Sequence, residues 1–93
     1  MTYNIKFHYV NEKGMNKELT INANSEETFE KIMNKFFSQA NPIPTKNAVK
    51  FSVFYRCKLL NSGYYLQRTV KNIFKRDGNP DLNVLDINGI IGD

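Results

Sequence analysis

Eight residues, Val49 to Arg56 (VKFSVFYR), constrain the folding of this 93-residue chain more than any other stretch. With the two-residue period of a strand, Val49, Phe51, Val53 and Tyr55 share one face, and Lys50, Ser52, Phe54 and Arg56 share the other. The first face requires a cover and the second requires water, with Phe54 as the misfit. A large aromatic on a basic strand face is either covered from within the chain or presented to a partner. The segment therefore calls for a sheet with one packed side and one open side.

The preceding residues supply the rest of that sheet and its cover. Tyr3, Ile5, Phe7 and Tyr9 alternate with Asn4, Lys6 and His8, and Leu19, Ile21 and Ala23 alternate with Glu18, Thr20 and Asn22. Between them Asn11-Glu12-Lys13-Gly14 supplies turn residues, so the pair reads as a hairpin with one apolar face. A lone hairpin is marginal in water, so that face must be buried. Phe29, Ile32, Met33 and Phe36 then recur at helical spacing, widened by Phe37, and form one apolar stripe. Asn24 or Ser25 is expected to cap this helix, with Thr28 as a competing cap and Glu26 and Glu27 in the first turn, where the helix dipole favours acids. Pro42 and Pro44 stop it. After the strand at 49–56, Asn61-Ser62-Gly63 reads as a turn. Leu66, Val70, Ile73 and Phe74 are consistent with a short helix or an irregular crossover, and Asp77-Gly78-Asn79-Pro80 is a second turn. A last strand runs from Asp81 to about Asn88, with Leu82 and Val84 facing one way and Asn83 and Leu85 the other.

The expected fold is α+β, a mixed four- to five-stranded sheet with one main helix packed across one face. Seven Phe and five Tyr make a packed core achievable, so residues 1–93 read as a single domain with an ordered core over about 3–88 and a short C-terminal tail. No run approaches the roughly 18–20 apolar residues that cross a bilayer. The alternating start MTYNIKFHY lacks the basic opening and apolar run of a signal peptide. Cys57 is the single cysteine and no Asn-x-Ser/Thr sequon occurs, which leads us to expect a cytoplasmic or nuclear location.

The net charge of +4 is unevenly spread. Between Glu30 and Asp77 there is no acid, while ten Lys and Arg residues fall in that interval. A solvated surface accounts for such a run; so does a surface that attracts an acidic partner.

In the order of its elements the chain resembles the ubiquitin-like, β-grasp family from Tyr3 to about Asn88. The similarity rests on the alternating hairpin, the stripe Phe29/Ile32/Phe36, the loop Asn41–Thr45, the strand Phe51–Tyr55 running into Lys58-Leu59-Leu60, and the strand Leu82-Asn83-Val84-Leu85. The resemblance implies a module gripped by other proteins through its open sheet face, with Phe54 on the third strand and Asn83 and Leu85 on the last. The loop residue of that patch would fall near Met15. Conjugating members end in Gly-Gly, and this chain ends Gly89-Ile90-Ile91-Gly92-Asp93, so a binding module rather than a tag is implied. The expected function is non-enzymatic binding of an acidic or mixed protein surface, a role that also suits one domain of a larger protein or complex. Phe54, Leu85 and Asn83 would form the contact, and Lys50, Arg56 and Lys58 would steer the partner. The alternative is a similarity to PB1 domains, in which Lys6 on the first strand would pair with another domain's acidic cluster.

The residues offer little for catalysis. His8 and Cys57 are the only residues of their kinds, and no orienting group or oxyanion loop is recognisable beside them. No metal-ligand spacing, phosphate loop or cofactor motif occurs, so neither metal nor cofactor is expected. The basic, aromatic-bearing strand leaves weak nucleic-acid binding as a further class, disfavoured by the modest charge and the absence of RNP, KH and zinc-finger patterns.

Overall fold

A computed structural model of the chain describes residues 2–10, 14–40, 51–60 and 62–86. Its elements run β1 (Thr2–Val10), β2 (Asn16–Asn24), α1 (Phe29–Gln39), β3 (Phe51–Tyr55), β4 (Lys58–Leu59), α2 (Gly63–Leu66), α3 (Val70–Phe74) and β5 (Asp81–Asp86). The five strands form one mixed sheet in the order β2-β1-β5-β3-β4. β1 and β5 pair in parallel at its centre; the other pairs are antiparallel. The class is α+β, as the periodicities required.

Alternation decides which face each strand buries. Tyr3, Ile5 and Phe7 of β1, Ile21 and Ala23 of β2, Val53 and Tyr55 of β3, and Leu82 and Val84 of β5 are buried on one side. α1 crosses that side and buries Phe29, Ile32, Met33, Phe36 and Phe37. Full burial of each such side chain is worth roughly 1.5–3 kcal/mol relative to exposure. Phe36 stacks on Phe7 at 4.3 Å between ring centroids and meets Tyr9 edge-on at 5.4 Å. Leu60, Val70, Ile73 and Phe74 complete the core.

Local chemistry moves one boundary from its expected place. Thr28, rather than Asn24 or Ser25, caps α1, with its hydroxyl accepting from the Lys31 N–H at 3.4 Å. Asn24 ends β2 and its side chain accepts from the Glu26 N–H at 3.0 Å, while Glu27 reaches back to the Asn24 N–H at 2.9 Å. That exchange holds the chain in a turn over these residues, so Glu26 and Glu27 precede the helix and Glu30 is the acid in its first turn. The crossover resolves into two short helices. Thr69 caps α3 and also bridges to Thr28, with Phe29 N–H donating to Arg68 O and Val70 N–H to Glu27 O. The starts of α1 and α3 are thereby tied to each other. Gly14 takes φ +77°, a backbone region that glycine enters at no steric cost.

Candidate functional site

The face of the sheet opposite α1 carries no helix among the described residues. Phe54 lies on it, half-buried, between buried Val53 and Tyr55. Its register neighbours are Leu59 on β4 and Asn83 on β5. Asn83 is opposite His8 on β1, and His8 is opposite Glu18 on β2. One row therefore spans all five strands: Leu59, Phe54, Asn83, His8, Glu18. Its β4 end is apolar and its β2 end is charged.

Leu85 faces the same side, 42% exposed, and its direct partner is Ser52. It is thus diagonal to Phe54, a separation of about 7–8 Å that side chains can still span. The direct apolar neighbour of Phe54 is Leu59, 43% exposed, which the sequence reading did not single out. The available signal was the two-residue spacing between Tyr55 and Lys58, which permits a tight hairpin and sets Leu59 opposite Phe54. At the far end of β5, Leu85 and Val10 border a shallow depression together with His8, Asn83 and Glu18. Met15, 51% exposed, stands just before β2 at that same end of the sheet.

The charged half of the row is internally satisfied. His8 Nε2 lies 2.9 Å from Asp81 Oδ1 and Nδ1 lies 3.7 Å from Glu18 Oε2, while Lys6 Nζ lies 3.7 Å from the other Glu18 oxygen. These are exposed pairs, each worth about 0–1 kcal/mol at most. They set a mixed-sign surface around Phe54 and give Lys6 an internal partner.

Arg56 and Lys58 occupy a different region. Lys58 is opposite Tyr55, so it lies on the helix side of the sheet, where it borders a cleft with Ile73 and Phe74. Arg56 begins the β3–β4 turn with φ +53°; its guanidinium sits 5.2 Å from the Tyr55 ring centroid and 3.7 Å from Asp77 Oδ2. Tyr55 donates its hydroxyl to the same oxygen at 2.8 Å. Burial, then this hydrogen bond to Asp77, holds the Tyr55 hydroxyl above its usual pKa. The structure therefore groups Phe54, Asn83 and Leu85 on one face and separates Lys58 from them. Lys50 and the loop Asn41–Thr45 lie outside the described residues.

His8 and Cys57 do not meet. Cys57 is exposed in the β3–β4 turn, while His8 is on β1, with β5 and β3 between them. Among the described residues no group of three or more His, Cys, Asp or Glu is placed to hold a metal ion. No helix among them is long and apolar enough to cross a membrane. Compared with known proteins, the chain matches no family model and no curated relative.

Proposed function

We propose that this chain is a β-grasp module of the ubiquitin-like kind that binds another protein through its open sheet face, without catalysing a reaction. Supporting the fold reading are the central parallel β1–β5 pair, the hairpin at the N-terminus and the single long helix across one face. The observation that carries the functional reading is the register that puts Phe54 beside Leu59, with Leu85 on the diagonal and polar groups around all three. Apolar anchors with a polar rim are the usual anatomy of a contact patch.

The partner surface this face fits is mixed in charge. Lys6 and His8 offer positive charge or hydrogen-bond donors, and Glu18 and Asp81 offer negative charge. A purely acidic partner would have to displace Glu18 from Lys6, so pairing through Lys6 alone is the weaker alternative. The test is affinity capture from nuclease-treated native lysate, comparing wild type, Phe54→Ala and Lys6→Ala. The proposal expects a protein retained by wild type and Lys6→Ala and lost with Phe54→Ala, with all three folded by circular dichroism. Retention of every protein by Phe54→Ala would refute it.

A further inference from the structure

Away from the open sheet face, the described basic residues concentrate around a pair of joined clefts. An open cleft of about 540 Å³ separates the β3–β4 turn from α3 and the residues after it, and Arg56, Lys58, Lys75 and Arg76 stand around it. Past Lys58, Ile73 and Lys75 it continues into a depression of about 270 Å³ that Tyr64 and Arg68 border. Asp77 is the only carboxylate among the described residues of either wall, and it already accepts from Tyr55 and faces Arg56. Among the described residues, Lys58, Arg68, Lys75 and Arg76 have no ion-pair partner. Five cations therefore face one committed acid, an arrangement whose mutual repulsion an anionic ligand would relieve.

Two further observations concern the same cleft. Arg56 and Lys75 are the only described non-glycine residues with positive φ, at +53° and +54°, and they stand on opposite rims. Tight turns of this kind favour Gly, Asn or Asp, so both long basic side chains are held there against the backbone's preference. Tyr64 is 62% exposed, and the Arg68 guanidinium lies over its ring at 4.4 Å from the centroid. Tyr65 braces that ring edge-on at 4.9 Å. An exposed tyrosine layered with a guanidinium is a flat, cationic platform of the type on which nucleobases stack.

We infer that these joined clefts bind single-stranded nucleic acid, with phosphates along Arg56, Lys58, Lys75 and Arg76 and a base on the Tyr64–Arg68 platform. An acidic peptide would use the cations but leave the platform without a role, which is why nucleic acid is the better fit. The site does not depend on the protein-binding reading of the sheet face, since Phe54 and Leu85 take no part in it.

The test is fluorescence anisotropy of a labelled oligouridylate of about a dozen nucleotides, a length matching the site sizes of small single-strand-binding domains. Four phosphate contacts predict a slope of log K against log salt of about −2.8, or a loss of roughly 50-fold between about 50 and 200 mM salt. The double variant Lys75→Glu/Arg76→Glu should halve that slope to about −1.4. Tyr64→Ala should weaken binding by roughly 5- to 150-fold with the slope unchanged. Phe54→Ala should bind as wild type does. Tyr64 is exposed and is not itself one of the strained residues, so its variant decides the matter if the double variant loses its fold. The inference is overturned by no binding at about 50 mM salt and 100 μM protein. It is equally overturned if Tyr64→Ala binds as wild type, or if an oligoglutamate of equal length competes as well as unlabelled oligouridylate.

Discussion

Lys75 offers a measurement of what the basic cleft costs the fold. It takes φ 54° and ψ −108° at the end of α3, with its N–H donating to Lys71 O and the Asp77 N–H closing the turn onto Phe74 O. An L side chain in such a region costs about 1–3 kcal/mol, whereas glycine enters it freely. Glycine in turn loses about 0.5–1 kcal/mol more backbone entropy on folding than alanine. Lys75→Gly and Lys75→Ala both remove the ammonium and the stem, so charge relief from Lys58 and Arg76 cancels between them. What remains is strain less glycine entropy, and Lys75→Gly should exceed Lys75→Ala in stability by up to about 2.5 kcal/mol, with about 1 kcal/mol as the central expectation. In a domain of this size each kcal/mol moves the thermal midpoint by about 4–8 °C. Urea denaturation of the two variants reads the difference directly, provided that the m-values agree. A Lys75→Gly variant no more stable than Lys75→Ala would refute the strain. Both variants should bind oligonucleotide equally weakly, which separates the ammonium's contribution from the backbone's.

Phe36→Ala removes the ring that Phe7 stacks on and that Tyr9 meets edge-on, and should cost about 3–5 kcal/mol in urea denaturation. A loss below about 1.5 kcal/mol would mean that the helix does not pack on β1 as described. The Asn24 N–H, then the Lys35 ammonium at 3.0 Å, hold the Glu27 carboxyl below its usual pKa of 4.5. Its stabilisation is therefore complete above that value and lost as pH falls through the lower folded-state pKa. Stability measured from pH 6 downward should fall less steeply in Glu27→Gln than in wild type. The raised Tyr55 pKa has the opposite window: its contribution is complete below the ordinary value of 10.0 and is lost as pH rises from there. Tyr55→Phe should therefore show a shallower alkaline loss of stability.

Much of the fold was legible because its signals are local. The hairpin, the helix stripe and the outward pair Asn83 and Leu85 follow from repeats of 2 and 3.6 residues, and the observed burial agrees at Ile5, Phe7, Ile32, Phe36, Val53 and Leu82. The helix start stays open in the sequence because Asn24, Ser25 and Thr28 are all capable caps, and Thr28 is the one used. The choice among them fell to a reciprocal hydrogen-bond exchange between Asn24 and the Glu26–Glu27 pair. Unbroken alternation past Tyr55 would put both Arg56 and Lys58 on the strand face that bears Phe54. A two-residue turn after Tyr55 interrupts that alternation and sends Lys58 to the helix side.

By itself, then, the sequence determined which side chains share a face, since the pleat and the helical repeat are properties of the backbone within one segment. It could not determine which faces become neighbours. Leu59 reaches Phe54 through a turn, but Phe54 reaches Asn83, and Asn83 reaches His8, only through strand order. Asp81 comes to His8 from 73 positions away, and Lys58 and Lys75 face one cleft from different elements. Such contacts depend on register and chain crossing, which are settled when the whole core closes over Phe7, Phe36 and Val53. The basic run between Glu30 and Asp77 was visible from composition. Only the tertiary structure divided it, sending Lys31, Lys35 and Lys71 to internal acids and leaving Lys58, Arg68, Lys75 and Arg76 around a cleft.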